Sequence, residues 1–239
     1  MTSEINFIKF YLCPLLIIIS LITECYDKTP KYNAIETTQA PVIDGNIDEI
    51  WNSTKIDTIK KSIVGVDNKK DDNDFTVRYR CLWDYSDIFF LFEVTDEKKI
   101  YYPEIRWYEN DLVQIFFGRS LKKISASKIT GGDISQYTFI YGIDSLLLNG
   151  KYLTLTNIEF KKKDINDGYI FEIKMPWKDI GIIPRKKLDI PVNFEANDLD
   201  KGESAEGEIG IRETIIGWAP NTAEHSWTQT KNYGDLILY

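Results

Sequence analysis

The sequence predicts an all-β fold: an antiparallel β-sandwich, jelly-roll or immunoglobulin-like, of about nine or ten strands. Three observations predict it. Apolar residues recur at every second position in short runs, as in Phe75-Thr76-Val77-Arg78-Tyr79-Arg80-Cys81 and Tyr169-Ile170-Phe171-Glu172-Ile173-Lys174-Met175. Turn clusters such as Gly131-Gly132-Asp133, Asn149-Gly150 and Asn166-Asp167-Gly168 separate the runs. No helical periodicity lies between them; only residues 177–180 read as a brief helical turn.

With 239 residues, 43% of them hydrophobic, the chain is long enough for one domain with a sizeable core. Its net charge of −8 argues against nucleic-acid binding and against electrostatic docking on an anionic membrane. A single histidine, His225, nearly excludes a histidine-rich metal site. Cys13, Cys25 and Cys81 form neither a disulfide framework nor a zinc spacing.

Residues 10–23 are an apolar run too short for a comfortable membrane span, interrupted by Pro14. A signal-peptide core fits better, with residues 1–24 as the leader. Leu21-Ile22-Thr23-Glu24-Cys25 resembles a bacterial lipoprotein box. That resemblance implies export, lipidation of Cys25 and a lipid as the membrane contact, at the membrane or cell surface of a bacterium. Residues 25–40 read as a tether and 41–239 as the domain. Asp44-Gly45-Asn46 is a turn signal, and Asp48 is the expected N-cap of a short turn carrying Ile50 and Trp51 inward. Lys69-Lys70-Asp71-Asp72-Asn73-Asp74 is a solvated turn whose carboxylates are also donors of the kind calcium takes; no other cofactor is implied.

Strands are then expected at 75–81, at the nearly continuous apolar run 88–94, and at 112–117, 137–143, 152–160, 169–175, 190–196, 208–211 and 236–239. Ahead of the third, Trp107 and Tyr108 stand among Arg106, Glu109, Asn110 and Asp111. A flat apolar face ringed by hydrogen-bonding groups complements a sugar ring, with C–H on its faces and hydroxyls at its edge. The same composition also suits a loop whose tryptophan plugs the end of a core.

Several motifs in order resemble the family 9 carbohydrate-binding modules. Ile43-Asp44-Gly45-Asn46-Ile47-Asp48-Glu49-Ile50-Trp51 matches the Ile-Asp-Gly-x-x-Asp-x-x-Trp opening. Leu82-Trp83-Asp84, Val94-Thr95-Asp96, Asn110-Asp111, Pro176-Trp177, Asn197-Asp198 and Tyr233-Gly234-Asp235-Leu236 follow in the family's sequence of motifs. Gln114 stands where the family carries Glu.

The resemblance implies a non-catalytic module that holds an oligosaccharide or polysaccharide unit between two aromatic faces at the rim, working beside glycoside hydrolases. It assigns Trp107 as the first ring, with Tyr108 as its substitute. Trp218 is the second ring, with Trp227 competing. Arg80, Gln114 and Asn221 are the polar groups around the sugar, although Arg80 is also placed for a cross-strand ion pair. Trp51, Trp83 and Trp177 are core or turn supports, and Asn197 and Asp198 satisfy backbone groups. Three rivals remain: a structural or protein-binding surface lipoprotein, an enzyme running through His225, and a haem sandwich with His225 or Met175 as axial ligand.

Overall fold

The alternation seen in the sequence builds two facing sheets in the computed structural model, which describes residues 29–59, 61–64, 74–154, 156–200, 212–219 and 226–239. The proposed leader with Cys25, residues 69–73, the strand expected at 208–211, Asn221 and His225 lie outside the described residues.

The first sheet runs β10 (Glu159–Ile165), β11 (Gly168–Pro176), β5 (Asp87–Asp96), β4 (Phe75–Trp83) and β2 (Asp57–Ile59), all antiparallel. The second runs β14 (Gly234–Leu238), β12 (Asp189–Asp198), β6 (Leu112–Gly118), β7 (Ile134–Ile140), β8 (Leu146–Leu148) and β9 (Lys151–Tyr152). The later half of β12 also pairs with β13 (Thr214–Gly217), which in turn pairs with β3 (Lys61–Val64).

The expected tether is corrected over residues 31–36, which form β1 (Lys31–Glu36). Its first four residues run parallel to β14 and its last two parallel to β4, so it stitches the sheets together. Tyr32 and Ala34 alternate into the core, and the Tyr32 hydroxyl donates to the Lys55 carbonyl at 2.6 Å while accepting from Cys81 N.

Between the sheets, Phe90 and Phe92 of β5 meet Phe194 of β12 edge-on at 5.7 and 5.6 Å, and Phe139 of β7 meets Phe171 of β11 at 6.2 Å. Met175 is buried in this same core. The run in β5 is continuous because both its faces are covered: Phe89 and Leu91 point outward beneath Trp51, Ile43 and Ile50.

This explains the 43–51 motif physically. Glu172, buried on β11, accepts hydrogen bonds from the Gly45 and Asp44 amides with one oxygen and from the Trp51 indole with the other. Gly45 sits at φ +85, where its amide reaches Glu172 and a side chain would collide with Lys163. Asp48 does not cap the following turn, Glu49–Ser53; its carboxylate accepts from Val42 N instead. Trp83 and Trp177 are buried and donate to the Tyr239 and Asp84 carbonyls.

Among the described residues there are more strands than the nine or ten expected. β2, β3, β8, β9 and β13 have two to four residues each, too short for alternation to register. The strand expected at 152–160 lies further along, as β10. That strand is a sheet edge, largely exposed, and its Lys161-Lys162-Lys163 run supplies the charge that keeps an edge from pairing with other chains.

Candidate functional site

The outer face of the second sheet carries a row of polar side chains that are buried, where an outward row would ordinarily meet solvent. Along β12, Val192, Phe194 and Ala196 face the core while Asn193, Glu195 and Asn197 face out. Glu195 pairs across to Gln114 on β6, and Gln114 to Thr138 on β7, whose hydroxyl accepts from the Gln114 amide at 3.1 Å. Two connections rise beside this row and leave a cleft of about 460 Å³. Gln114, Gln136, Glu195, Asn197 and Ile215 line it from the strands, and Trp107, Tyr108 and Trp227 from the connections.

The first connection, between β5 and β6, is held by asparagines. Asn110 accepts from Tyr102 N at 2.6 Å, and Asn197 donates to the Tyr108 carbonyl at 2.7 Å. Trp107 begins the turn Trp107–Glu109 and packs on Leu112, Ile140 and Leu147. Tyr108 meets it edge-on at 5.3 Å. Arg212 lies over the Tyr108 ring at 5.2 Å, and its Nη1 donates to the Tyr108 carbonyl at 2.9 Å. Gly150 closes against the Trp107 indole; a Cβ there would lie 3.4 Å from the ring.

The second connection, between β13 and β14, carries Trp227, 55% exposed. The buried residue before it, Ser226, donates to Glu195 Oε1 and accepts from Asn193 Nδ2 at 3.2 Å.

The sequence-predicted residues therefore separate. Trp107, Tyr108 and Gln114 line one cleft. Trp218 is corrected: it is 4% exposed and sits between the sheets, 5.3 Å from Phe194 and edge-on to Tyr79 at 5.8 Å. Trp218 follows β13 directly, and its amide continues the ladder to the Phe194 carbonyl, which turns the ring into the core. Trp227 is the exposed ring instead. Arg80 is corrected as well: it lies on the first sheet, 8% exposed, and forms the cross-strand ion pair with Glu93 at 3.1 Å.

Glu195, Asn197, Gln136 and Arg212 enter the site without having been assigned to it. The signal for the first two is in the sequence, since Asn193-x-Glu195-x-Asn197 puts three polar residues on one face of a strand whose other face is core. Arg212 arrives from a distant loop that carries no such pattern.

Burial pushes the Glu195 carboxyl up to about 8, against the opposing pull of Ser226, Arg212 and Asn193. The folded state thus holds a proton that the unfolded chain releases near the ordinary carboxylate value. This contribution to stability is complete at about pH 4 and is lost as pH rises towards 8, at up to about 1.4 kcal/mol per pH unit for the one proton. Urea unfolding of the wild type should therefore show stability falling from pH 5 to 8, and Glu195→Gln should remove part of that slope. Identical slopes would mean that Glu195 is charged throughout.

Where β5 and β12 end and β6 begins, Asp96, Asp111 and Asp198 are fully buried and bring carboxylate oxygens within 4.8 Å of one another; Asp74, Glu97 and Asp200 form a second, partly exposed group. Asp111 accepts from Leu199 N at 2.8 Å and from Ile100 N. Among the described residues, Asp96 Oδ2 and Asp198 Oδ1 have no hydrogen-bond partner. Burial, then repulsion from neighbouring carboxylates, pushes Asp198 up to about 9. Buried oxygens of this kind suit a hard divalent cation such as calcium, and a cation here would brace the start of β6. Calcium at millimolar concentration is expected to raise Tm and a chelator to lower it; a Tm indifferent to both would leave the carboxylates held by protons alone.

The family model described as carbohydrate family 9 binding domain-like matches residues 43–239. A region of exoglucanase XynX from Acetivibrio thermocellus is 28% identical over 198 residues, covering 83% of this chain and 16% of that protein. A region of endo-1,4-β-xylanase A from Thermotoga maritima is 30% identical over 198 residues, with 83% and 17% covered. The chain spans about a sixth of the length of these relatives. A family 9 carbohydrate-binding module from Caldicellulosiruptor kristjanssonii, solved in complex with cellotriose, shares the fold at TM-score 0.68 and 20% identity, over 87% of this chain and 93% of that one. The corresponding complex with glucose gives 0.67, over 87% and 94%.

Proposed function

Because the chain belongs to the carbohydrate family 9 binding domain-like family, we propose that its cleft binds pyranose units of a β-1,4-linked glucan or xylan without cleaving them. The observation that carries this reading is the pairing of two indoles, Trp107 and Trp227, with a polar strand floor in one cleft. Indole faces cover the C–H faces of a sugar, and Gln114 and Asn197 meet its hydroxyls. A hydroxyl pattern that left one of these buried groups unpaired would cost about 1–3 kcal/mol, which is the basis of discrimination.

The choice of sugar follows the company the fold keeps: a relative named for β-1,4-xylan cleavage and a structural neighbour solved with cellotriose. A non-catalytic role is supported by the family itself, which is described as a binding domain. Export and lipidation at Cys25 would hold the captured chain at a bacterial surface, where separate hydrolases act on it. A Cys25→Ser variant that remained in the membrane fraction would remove that part of the reading.

Calorimetric titration with glucose, cellotriose and xylotriose tests the binding proposal. The expected result is saturable binding of at least one with Kd in the micromolar to millimolar range, as suits a shallow single site. Folded protein that binds none of them, nor a wider panel of plant oligosaccharides, would overturn it.

A further inference from the structure

We propose that Glu195 is a positioning residue: its carboxyl group, acting through Ser226, fixes the Trp227 ring as a wall of the cleft. The inference rests on the sugar-binding reading above. Its basis is the way Trp227 is held. The indole is 55% exposed, and among the described residues it has neither a hydrogen bond nor a ring contact. An exposed ring with no partner of its own takes its direction from the backbone that carries it.

That backbone is tied down one residue earlier. Ser226 is fully buried; its hydroxyl donates to Glu195 Oε1, and its carbonyl accepts from the Tyr233 hydroxyl. Asn193 closes the network. Its amide nitrogen reaches Glu195 Oε1 at 3.1 Å and Ser226 Oγ at 3.2 Å, and its Oδ1 accepts from Ala219 N at 3.0 Å. Two points of the β13–β14 connection are thus fastened to the outward row of β12: Ala219 through Asn193, and Ser226 through Asn193 and Glu195.

The geometry gives Glu195 a job distinct from touching sugar. Gln114, its cross-strand neighbour, lines the same floor without any bond to the Trp227 connection among the described residues. Glu195 faces both ways, into the cleft and under the loop. A wall made of one mobile ring must be ordered each time a sugar enters, and a ring already ordered avoids that cost.

The experiment compares Glu195→Ala, Ser226→Ala, the double variant and Glu195→Gln. It uses calorimetry with cellotriose and the 19F resonance of Trp227 in protein labelled with 5-fluorotryptophan, assigned with Trp227→Phe. Glu195→Ala and Ser226→Ala are each expected to weaken binding about 10-fold, and the double variant no further, since the two groups act in series. In both, the Trp227 line of the sugar-free protein should shift. Glu195→Gln keeps an acceptor for the serine and should retain the wild-type Trp227 line.

Weaker binding in Glu195→Ala with wild-type affinity and an unmoved Trp227 line in Ser226→Ala would overturn the proposal and make Glu195 a direct sugar contact. If Glu195→Ala does not fold, Ser226→Ala and Glu195→Gln still decide the matter. If the wild type binds no sugar, the functional reading fails, while the Trp227 line still reports whether Glu195 positions the ring.

Discussion

Trp227→Ala is expected to weaken oligosaccharide binding by about 30- to 150-fold while leaving Tm within a degree or two of the wild type. The two halves of this expectation have separate causes. The indole is largely exposed and has no ring partner among the described residues, so its removal opens no core cavity. Its contribution lies in the face it offers to a sugar. An aromatic anchor at the centre of a binding site is worth about 2–3 kcal/mol, which converts to that range of affinity. Trp107→Ala should lose affinity on the same scale but also lose some stability, because Trp107 packs on Leu112, Ile140 and Leu147. The check is calorimetry beside a thermal melt. A Trp227→Ala protein that binds as well as the wild type would remove this ring from the site.

Trp218→Ala should behave in the opposite way, costing about 3–5 kcal/mol of folding stability, the range for truncating a buried large aromatic. The ring touches Phe194 of one sheet and Tyr79 of the other, so its loss opens a void where the two layers meet. Gly234 shows how closely the seat is built: a Cβ on it would come within 2.2 Å of the Trp218 ring. Urea unfolding measures the effect, and any loss of affinity should follow the loss of folded protein. A Trp218→Ala variant of wild-type stability would mean that the ring does not sit between the sheets.

These two tryptophans show where a sequence stops being readable. Alternation assigns a face to every residue inside a strand, which is why Phe90, Phe171 and Phe194 fall inside as their spacing requires. Trp218 lies one residue beyond β13, where period-two logic has ended, and its direction depends on the amide still bonded to Phe194. Trp227 lies nine residues further on, and only the tertiary anchoring of Ser226 brings it to the cleft. Arg80 shows a different limit. Its phase correctly points it away from the core, but the outward faces of the two sheets are alike in sequence, and only topology separates Glu93's side from Glu195's.

The same reasoning explains β1. A six-residue segment with two core residues, Tyr32 and Ala34, has too little pattern to stand out from a polar tether. It becomes a strand because two other strands, β14 and β4, offer it open edges at once. By contrast the 43–51 motif is legible and explicable, since the Asp44 and Gly45 amides and the Trp51 indole all converge on Glu172.

A crystal structure of the protein grown with cellotriose would decide whether the cleft on the second sheet is where the sugar sits. The expected density is a pyranose ring against the Trp107 and Trp227 indoles, with hydroxyls within hydrogen-bond distance of Gln114 and Asn197. A sugar bound instead on the Arg80–Glu93 face of the first sheet, or at the rim beside Tyr85, would contradict it.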